Sequence, residues 1–330
     1  MWRSTSGVAV DDVVPSMGFG SPGIREEEGE VGRRSGWMFL AAGLAALALG
    51  GTARADEGKL LLTGGVSQVE GAGGGGLVPW ALISGYETRD GIGVTVHMTY
   101  VPVSKFTLYS PGFAVGIHDR VEISYASDSF DTGTSLAPFY GALSSFGVRN
   151  GFAFRQDVFG LKVKVYGDAV YDQDRLLPQI AIGGFYKEDE DHGLTRALGA
   201  KETNGIDYYV AATKLILSQS LLLDATIRMT KANEFGILGF GGPTNNDYQA
   251  EFEGSAAFLV SKRFVVGAEF RQKPNNGLIG GAEGEERAYD IFTAYALNKH
   301  VSLTGGFVDL GKIATYARQR GAYLSLQFAY

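Results

Sequence analysis

The groups in this chain best able to move protons near neutral pH are four histidines, His97, His118, His192 and His300. Their settings argue against catalysis. His97 stands between Thr95 and Thr99, but no nucleophile-elbow motif and no paired ligand spacing accompanies it. Gly71-Ala72-Gly73-Gly74-Gly75-Gly76 fits G-x-G-x-x-G in form. A dinucleotide fingerprint needs a strand before it and a helix after it, whereas Pro79 and a strand-like run follow here. The reading is therefore of no enzyme, no catalytic residue, no bound metal and no cofactor. What remains is charge. Lys162, Lys164, Lys214, Asp224, Arg228, Glu251, Glu253, Glu269 and Arg271 lie on the polar face of apolar-alternating segments. With His97 they would make a lining of mixed sign, which sets no strong preference for anions or cations.

Those charges are carried by segments with a period of two. Ile92, Val94, Val96, Met98 and Tyr100 alternate with Gly93, Thr95, His97 and Thr99. Leu221, Leu223, Ala225, Ile227 and Met229 alternate with Leu222, Asp224, Thr226, Arg228 and Thr230. Such a pattern is a β-strand with one apolar face. The last residues repeat it: Leu324, Leu326, Phe328 and Tyr330 alternate with Ser325, Gln327 and Ala329. Together with Gly321 they are expected to form the closing strand of a barrel and the signal read by the barrel-assembly machinery.

Four tight links separate neighbouring segments: His118-Asp119-Arg120, Ser218-Gln219-Ser220, Ser261-Lys262-Arg263 and Asn298-Lys299-His300. Pairing outward from them sets Val115 against Ile123, Phe258 against Val266, Leu297 against Val301 and Ile291 against Phe307. The opposite face then pairs Lys214 with Asp224, Glu253 with Arg271 and Glu251 with Lys273, a match of charge that the apolar face did not impose. Longer links alternate with the tight ones, as in outer-membrane barrels with short inner turns and long outer loops.

The full charges on one face and the continuous apolar belt on the other decide the solvent. A soluble barrel of this strand number would enclose more space than side chains can fill. A bilayer accepts the belt, and closure leaves no unpaired backbone edge. The expected fold is all-β, a transmembrane antiparallel up-and-down barrel of about fourteen strands of ~10 residues. Twelve is the alternative, if the glycine-rich region after Val66 folds inward as a plug. Trp80, Tyr86, Tyr100, Tyr125, Tyr186, Tyr208, Tyr248, Tyr289 and Tyr330 are candidates for the interfacial girdles. Overall hydropathy is close to neutral, which argues against a bundle of membrane helices.

Residues 1–55 read as an extension and a secretory signal, and residues 56–330 as the barrel. Arg33 and Arg34 precede the apolar run Trp37 to Leu49, and Ala53-Arg54-Ala55 offers a cleavage site. The acidic stretch before Arg33 suits no signal peptide, so translation is expected to start near Val31. Absence of cysteine fits an oxidising compartment. A net charge of −7 excludes a nucleic-acid partner.

Several segments resemble a family of Gram-negative outer-membrane proteins filed as domain of unknown function 3034. They are Leu62-Thr63-Gly64-Gly65-Val66-Ser67, Gly73-Gly74-Gly75-Gly76-Leu77-Val78-Pro79-Trp80-Ala81, Asp119-Arg120-Val121-Glu122, Phe130-Asp131-Thr132-Gly133, Gln156-Asp157-Val158, Gly160-Leu161-Lys162-Val163, Gly167-Asp168-Ala169-Val170-Tyr171-Asp172 and Leu177-Pro178-Gln179. The resemblance runs from about Leu60 to Tyr330. It implies the Gram-negative outer membrane as location and supplies no activity.

The expected function is a passive channel or transporter for small molecules, working by diffusion through a lumen lined by the charges named above. Two alternatives stand beside it. One is a plugged barrel with a structural or surface-interaction role; the other is a barrel enzyme acting on lipids, with His97 at its centre. Expected partners are outer-membrane lipids, lipopolysaccharide and the assembly machinery. The acidic run Glu188-Asp189-Glu190-Asp191-His192 reads as solvated loop charge, with a divalent cation bridging to lipopolysaccharide phosphates as a second use.

Overall fold

The computed structural model describes residues 59, 61, 62, 64–86, 88–170, 176–278 and 285–330. The expected signal segment, its cleavage site at Ala55 and the translation start near Val31 lie outside the described residues. Two short strands come first, β1 (Val66–Ser67) and β2 (Gly73–Gly74), paired with each other. Then follow β3 (Ile92–Pro102), β4 (Thr107–Ile117), β5 (Val121–Asp131), β6 (Ala153–Tyr166), β7 (Gln179–Asp189) and β8 (Asn204–Ile216). The series ends with β9 (Leu221–Thr230), β10 (Gln249–Ser261), β11 (Phe264–Arg271), β12 (Ala288–Ala296), β13 (Val301–Asp309) and β14 (Arg320–Ala329). From β3 on, each pairs antiparallel with the next, and β14 pairs back onto β3. The barrel therefore has twelve strands.

The count of about fourteen is corrected to the twelve-strand alternative, for a physical reason. The chain between Gly64 and Gly76 is too rich in glycine to present a lipid-facing side chain at every second position. It also lacks the length of a span, since β1 and β2 hold two residues each. It folds into the lumen instead.

Alternation along the strands sorts the side chains. Ile92 and Ile291 are 60 % exposed on the outer surface, whereas Thr95 and Thr226 are fully buried on the inner one. Leu223, Ile227, Phe252, Phe258, Leu303, Phe307, Leu324 and Phe328 extend the outward apolar belt around the barrel. A continuous surface of this size belongs in hydrocarbon rather than in water. Tyr186, Tyr208, Tyr248, Tyr289 and Tyr330 are exposed, as girdle residues should be. Tyr125 is covered by Phe113 and Phe159, whose rings lie tilted against it. Trp80 departs from the girdle altogether, because it lies in the inward-folded segment and is buried.

Most expected registers hold. Val115 faces Ile123, Phe258 faces Val266, Ile291 faces Phe307 and Glu253 faces Arg271, and Leu297 donates its backbone N–H to Val301 at 2.9 Å. Two charge pairs do not form. Asp224 stands opposite Thr213, and Lys214 opposite Leu223. The β8–β9 turn uses Leu217, Ser218, Gln219 and Ser220, the last at φ 53°, one residue more than expected. That shift turns Lys214 out of the lumen, to alternate with buried Thr213 and Leu215. Lys273 lies beyond the end of β11 and pairs with Glu234 and Glu285 rather than with Glu251.

The connections 132–152, 190–203, 231–248, 272–287 and 310–319 gather at one end of the barrel, here called outer, beside the short link 103–106. At the other end are 118–120, 217–220, 262–263 and 297–300, with one longer link, 167–178. At the seam, Gly321 lies against β3, where a Cβ would come within 1.8 Å of the Pro102 carbonyl oxygen. Only glycine lets the closing strand approach so near.

Candidate functional site

The chain enters the lumen from the short-turn end, brings Glu70 up to Arg271 and drops to Glu122 at Gly73. It rises again to Arg271 at Leu77, within a second reversal across Gly75–Val78, and descends past Ser84, again beside Glu122, to Tyr86 before β3 begins. Nearly every described residue from Leu62 to Gly85 is buried. Two kinds of contact hold this plug. On the descending limb, Leu77, Val78, Trp80 and Leu82 join the same apolar cluster as the inward-facing Leu215, Leu222, Val265 and Phe292. The tip is held by charge.

Glu70 is the centre of that hold. Its Oε1 accepts from Arg271 Nη2 at 2.8 Å, Lys187 Nζ at 2.5 Å and Arg228 Nη1 at 3.2 Å. Its Oε2 accepts from Arg228 Nη2 at 2.9 Å and Arg271 Nη1 at 3.0 Å. Two wall carboxylates orient the cations from behind. Glu253 takes Arg228 Nε at 2.6 Å and Arg271 Nε at 3.2 Å. Asp207 takes Lys187 at 2.7 Å and Arg228 Nη1 at 3.2 Å. Strands β7, β8, β9, β10 and β11 thus each contribute one residue, and all six side chains are at most 3 % exposed. Three cations meet three carboxylates, and one of the carboxylates belongs to the plug.

Below the tip, the glycine run serves a carboxylate, not a nucleotide. Leu77 N–H donates to Glu269 Oε2 at 2.7 Å, and Ser255 Oγ donates to Glu269 Oε1 at 2.5 Å. A Cβ on Gly75 would lie 1.9 Å from Glu269 Oε1, and one on Gly76 2.6 Å from Asp290 Oδ2. Side chains there would force the plug from the wall. Further down, Lys162 bonds Glu122 at 3.0 Å and donates to the carbonyls of Gly73 and Leu82, both at 2.9 Å. Glu122 accepts from the N–H groups of Gly73 and Ser84 at 3.1 and 2.7 Å. Asp224 accepts from Thr213 and Thr226 hydroxyls at 2.5 and 3.1 Å. At the inner end, Lys59 pairs with Asp119 at 2.6 Å, and Lys164 pairs with Asp119 and Asp168.

Of the residues expected to line the lumen, Lys162, Asp224, Arg228, Glu253, Glu269 and Arg271 therefore face it and meet one another or the plug. Glu251 is half-buried near the outer end of β10. Lys214 faces outward. His97 faces inward between Gln327 and Gly112, and neither ring nitrogen has a hydrogen-bond partner. A hydrolytic histidine needs one nitrogen on a hydroxyl and the other on an orienting group, and His97 has neither. His300 stacks on Tyr330 at 5.0 Å, whereas His192 opens the short helix His192–Ala197. Within the acidic run, Asp189 accepts from Thr195 Oγ1 and Asp191 accepts from Arg155 N–H, so one carboxylate folds the loop and the other ties it to β6.

An outer loop closes over the tip. Residues 231–242 fold into the barrel mouth, with Glu234 at φ 44° and Phe235 at φ 63°, in the left-handed region that is costly for side-chain-bearing residues. The Phe235 ring covers Arg271 with 4.4 Å from guanidinium carbon to ring centre. Its carbonyl accepts from Lys187 at 2.8 Å. Lys273 fastens the loop, reaching Glu234 at 2.8 Å and Glu285 at 3.0 Å. A cavity of about 30 Å³ remains between plug, wall and loop, bordered by Val69, Leu77, Phe130 and Phe235.

Glu70, Lys187 and Asp207 were not among the residues expected from sequence. Asp207 stands between Ile206 and Tyr208, an alternation that could have found it, whereas Lys187 stands between Tyr186 and Glu188, where charge on the neighbouring position blurs the signal. Glu70 is the only charged residue between Lys59 and Glu87, a lone carboxylate in a segment otherwise built of glycine, apolar and uncharged polar residues.

The profile of the family described as Protein of unknown function (DUF3034) matches residues 63–327. The chain belongs to that family. The match begins in the plug and ends in β14, so it covers both parts of the structure. No curated protein matches in sequence. Among solved structures, the chain is similar to the KdgM porin in complex with disordered oligogalacturonate, at 8 % identity and TM-score 0.45, over 72 % of this chain and 99 % of that one. It is also similar to an outer-membrane channel from Pseudomonas putida F1, at 11 % identity and TM-score 0.41, over 77 % and 96 %. Outer membrane phospholipase A from Escherichia coli stands at 11 % identity and TM-score 0.36, over 76 % and 93 %. Resemblance at this level extends to the barrel architecture and carries nothing about activity.

Proposed function

We propose that this barrel is a gated outer-membrane channel for small solutes, closed by its own segment 59–86 and opened when the tip around Glu70 leaves the wall. The observation that carries this reading is the nature of the hold on the tip. A buried cluster of charges gains little over solvated charges, because desolvation offsets most of the Coulomb attraction. Were the tip to withdraw, Lys187, Asp207, Arg228, Glu253 and Arg271 would be left lining water, a good environment for them. An apolar wall could not be wetted at so small a cost. The apolar descending limb supplies a fixed base, and the charged tip supplies the moving part.

The second reading is a permanently plugged structural barrel, which the apolar packing of Leu77 to Leu82 favours. Planar-bilayer recording separates the two. The gated channel is expected to rest at a closed level and show discrete openings, more often in a Glu70→Gln variant. Steady large current from the moment of insertion would contradict the plug. Silence of both proteins would contradict the gate and leave the structural barrel. Residence in the outer membrane of a Gram-negative cell, with residues 1–55 removed near Ala55 and β14 read by the assembly machinery, completes the proposal.

A further inference from the structure

The arrangement around Glu70 has the form of a receptor with its ligand in place. Two guanidinium groups present their terminal N–H forks to one point, each donating to both oxygens of the same carboxylate. Lys187 adds a third charge to that point at 2.5 Å. Planar forks of this kind match a carboxylate in shape as well as in charge. The forks do not depend on Glu70 for their orientation. Glu253 fixes the Nε edge of both arginines, Asp207 fixes Arg228 and Lys187, and Thr230 Oγ1 donates to Asp207 at 2.5 Å. The Arg228 guanidinium also packs over Phe185 at 5.2 Å. Without Glu70 the wall keeps three cations against two carboxylates, a surplus of one positive charge aimed into the lumen.

We propose that this wall cluster is a binding site for the carboxylate group of a small organic acid, and that Glu70 occupies it as a built-in stand-in. Incoming carboxylate and plug tip then compete for one position. A solute that binds the vacated site and not the occupied one draws the equilibrium towards release of the tip, by as much as its affinity for the vacated form allows. The site lies towards the outer end, so the solute reaches it from the cell exterior once Phe235 lifts from Arg271. This inference rests on the gated-channel reading for its consequence but not for the binding itself.

The test uses the folded protein in detergent and needs no transport. Trp80 is the only tryptophan after residue 37, and its indole donates to Ser255, two residues along β10 from Glu253, so release of the tip uncovers the fixed limb beside it and acrylamide quenching of Trp80 reports that release. Glu70→Ala vacates the site. Sodium formate is expected to raise its Tm in a concentration-dependent way, whereas sodium chloride at equal ionic strength and formamide are not. The rescue should vanish in Glu70→Ala/Arg271→Gln. In the wild-type protein, acetate should increase acrylamide quenching of Trp80 beyond the effect of chloride, a measurement that decides the matter even if Glu70→Ala does not fold. A folded Glu70→Ala with no preference for formate over chloride overturns the site. So does a larger stabilisation by inorganic phosphate than by formate, which would assign a different ligand class. If Glu70→Ala yields no folded protein, equal quenching in acetate and chloride overturns it as well. Carboxylate binding to a protein that never conducts would sink the channel reading alone, and conduction without carboxylate preference would sink only this inference.

Discussion

Replacing Glu70 by Gln removes one charge and changes almost no volume. The amide can still accept on its oxygen, but its NH₂ now faces N–H donors of Arg228, Arg271 or Lys187, which sit 2.5 to 3.2 Å from the present carboxylate oxygens. The closed state is left with three buried cations and two carboxylates. Removing one partner of a buried charge cluster costs ~3–5 kcal/mol, because the remaining charge stays desolvated and unpaired. The open state carries the same charges in water and is nearly unaffected, so the cost falls on closure alone. At about 1.4 kcal/mol per factor of ten, the closed-to-open ratio should fall by roughly a hundredfold to a few thousandfold. Single-channel recording in planar bilayers reads that ratio directly, and acrylamide quenching of Trp80 reads it in detergent. If Glu70→Gln rests closed for the same fraction of time as wild type and its Trp80 is equally shielded, the charge cluster does not hold the plug, and the reasoning fails.

Three further outcomes are expected. Gly75→Ala, whose new methyl would meet Glu269 Oε1 at 1.9 Å, should loosen the plug by ~1–3 kcal/mol without altering any charge; openings should become more frequent in bilayers. The outer loop should weaken as pH rises. Burial pushes the Glu234 carboxyl up to about 8, Glu285 adding to the shift and Lys273 opposing it. The folded loop therefore holds a proton that the unfolded loop releases near the ordinary carboxylate range, so its stability falls with pH between that range and about 8. Hydrogen exchange across 231–242, corrected for intrinsic rate, should quicken over this window in wild type and much less in Glu234→Gln. Finally, Ile291→Arg places a charge on the lipid face near the middle of β12, where Ile291 is 60 % exposed. It should cost ~2–4 kcal/mol in reversible unfolding from bilayers, and a neutral result would mean that this face does not meet hydrocarbon.

The barrel was legible in the sequence because its signals are local. Alternation at Ile92–Tyr100 and Leu221–Thr230 marks faces, and tight links at 118–120, 261–263 and 298–300 fix registers that the structure retains away from the turns themselves. The one register that slipped did so where Ser220 adopts a left-handed conformation at φ 53°, which no residue type at that position announces. The plug was legible only as a break in the pattern, a glycine run where strands of ~10 residues should stand. Its partners were not. Ser67 meets Gln327 and Glu70 meets Arg271, contacts separated by 260 and 201 residues, and separations of that order leave no trace in local periodicity. Lys162, Asp224, Arg228, Glu253, Glu269 and Arg271 face inward whereas Lys214 does not, and what those six meet is the chain's own plug segment rather than the water that a local pattern implies.

The seam between β14 and β3 bears on how such a molecule is built. Ser67 donates from its backbone N–H and its hydroxyl to Gln327 Oε1 at 2.7 and 3.0 Å, and its carbonyl accepts from the Tyr323 hydroxyl at 3.1 Å. Gln327 and Tyr323 lie on β14, which follows the plug and the other eleven barrel strands in chain order. The inserted limb, which precedes β14 in the chain, thus takes three of its hydrogen bonds from a strand made well after it. These anchors cannot form before β14 has been made, so defects in β14 should surface as misplaced stoppers as well as unclosed cylinders.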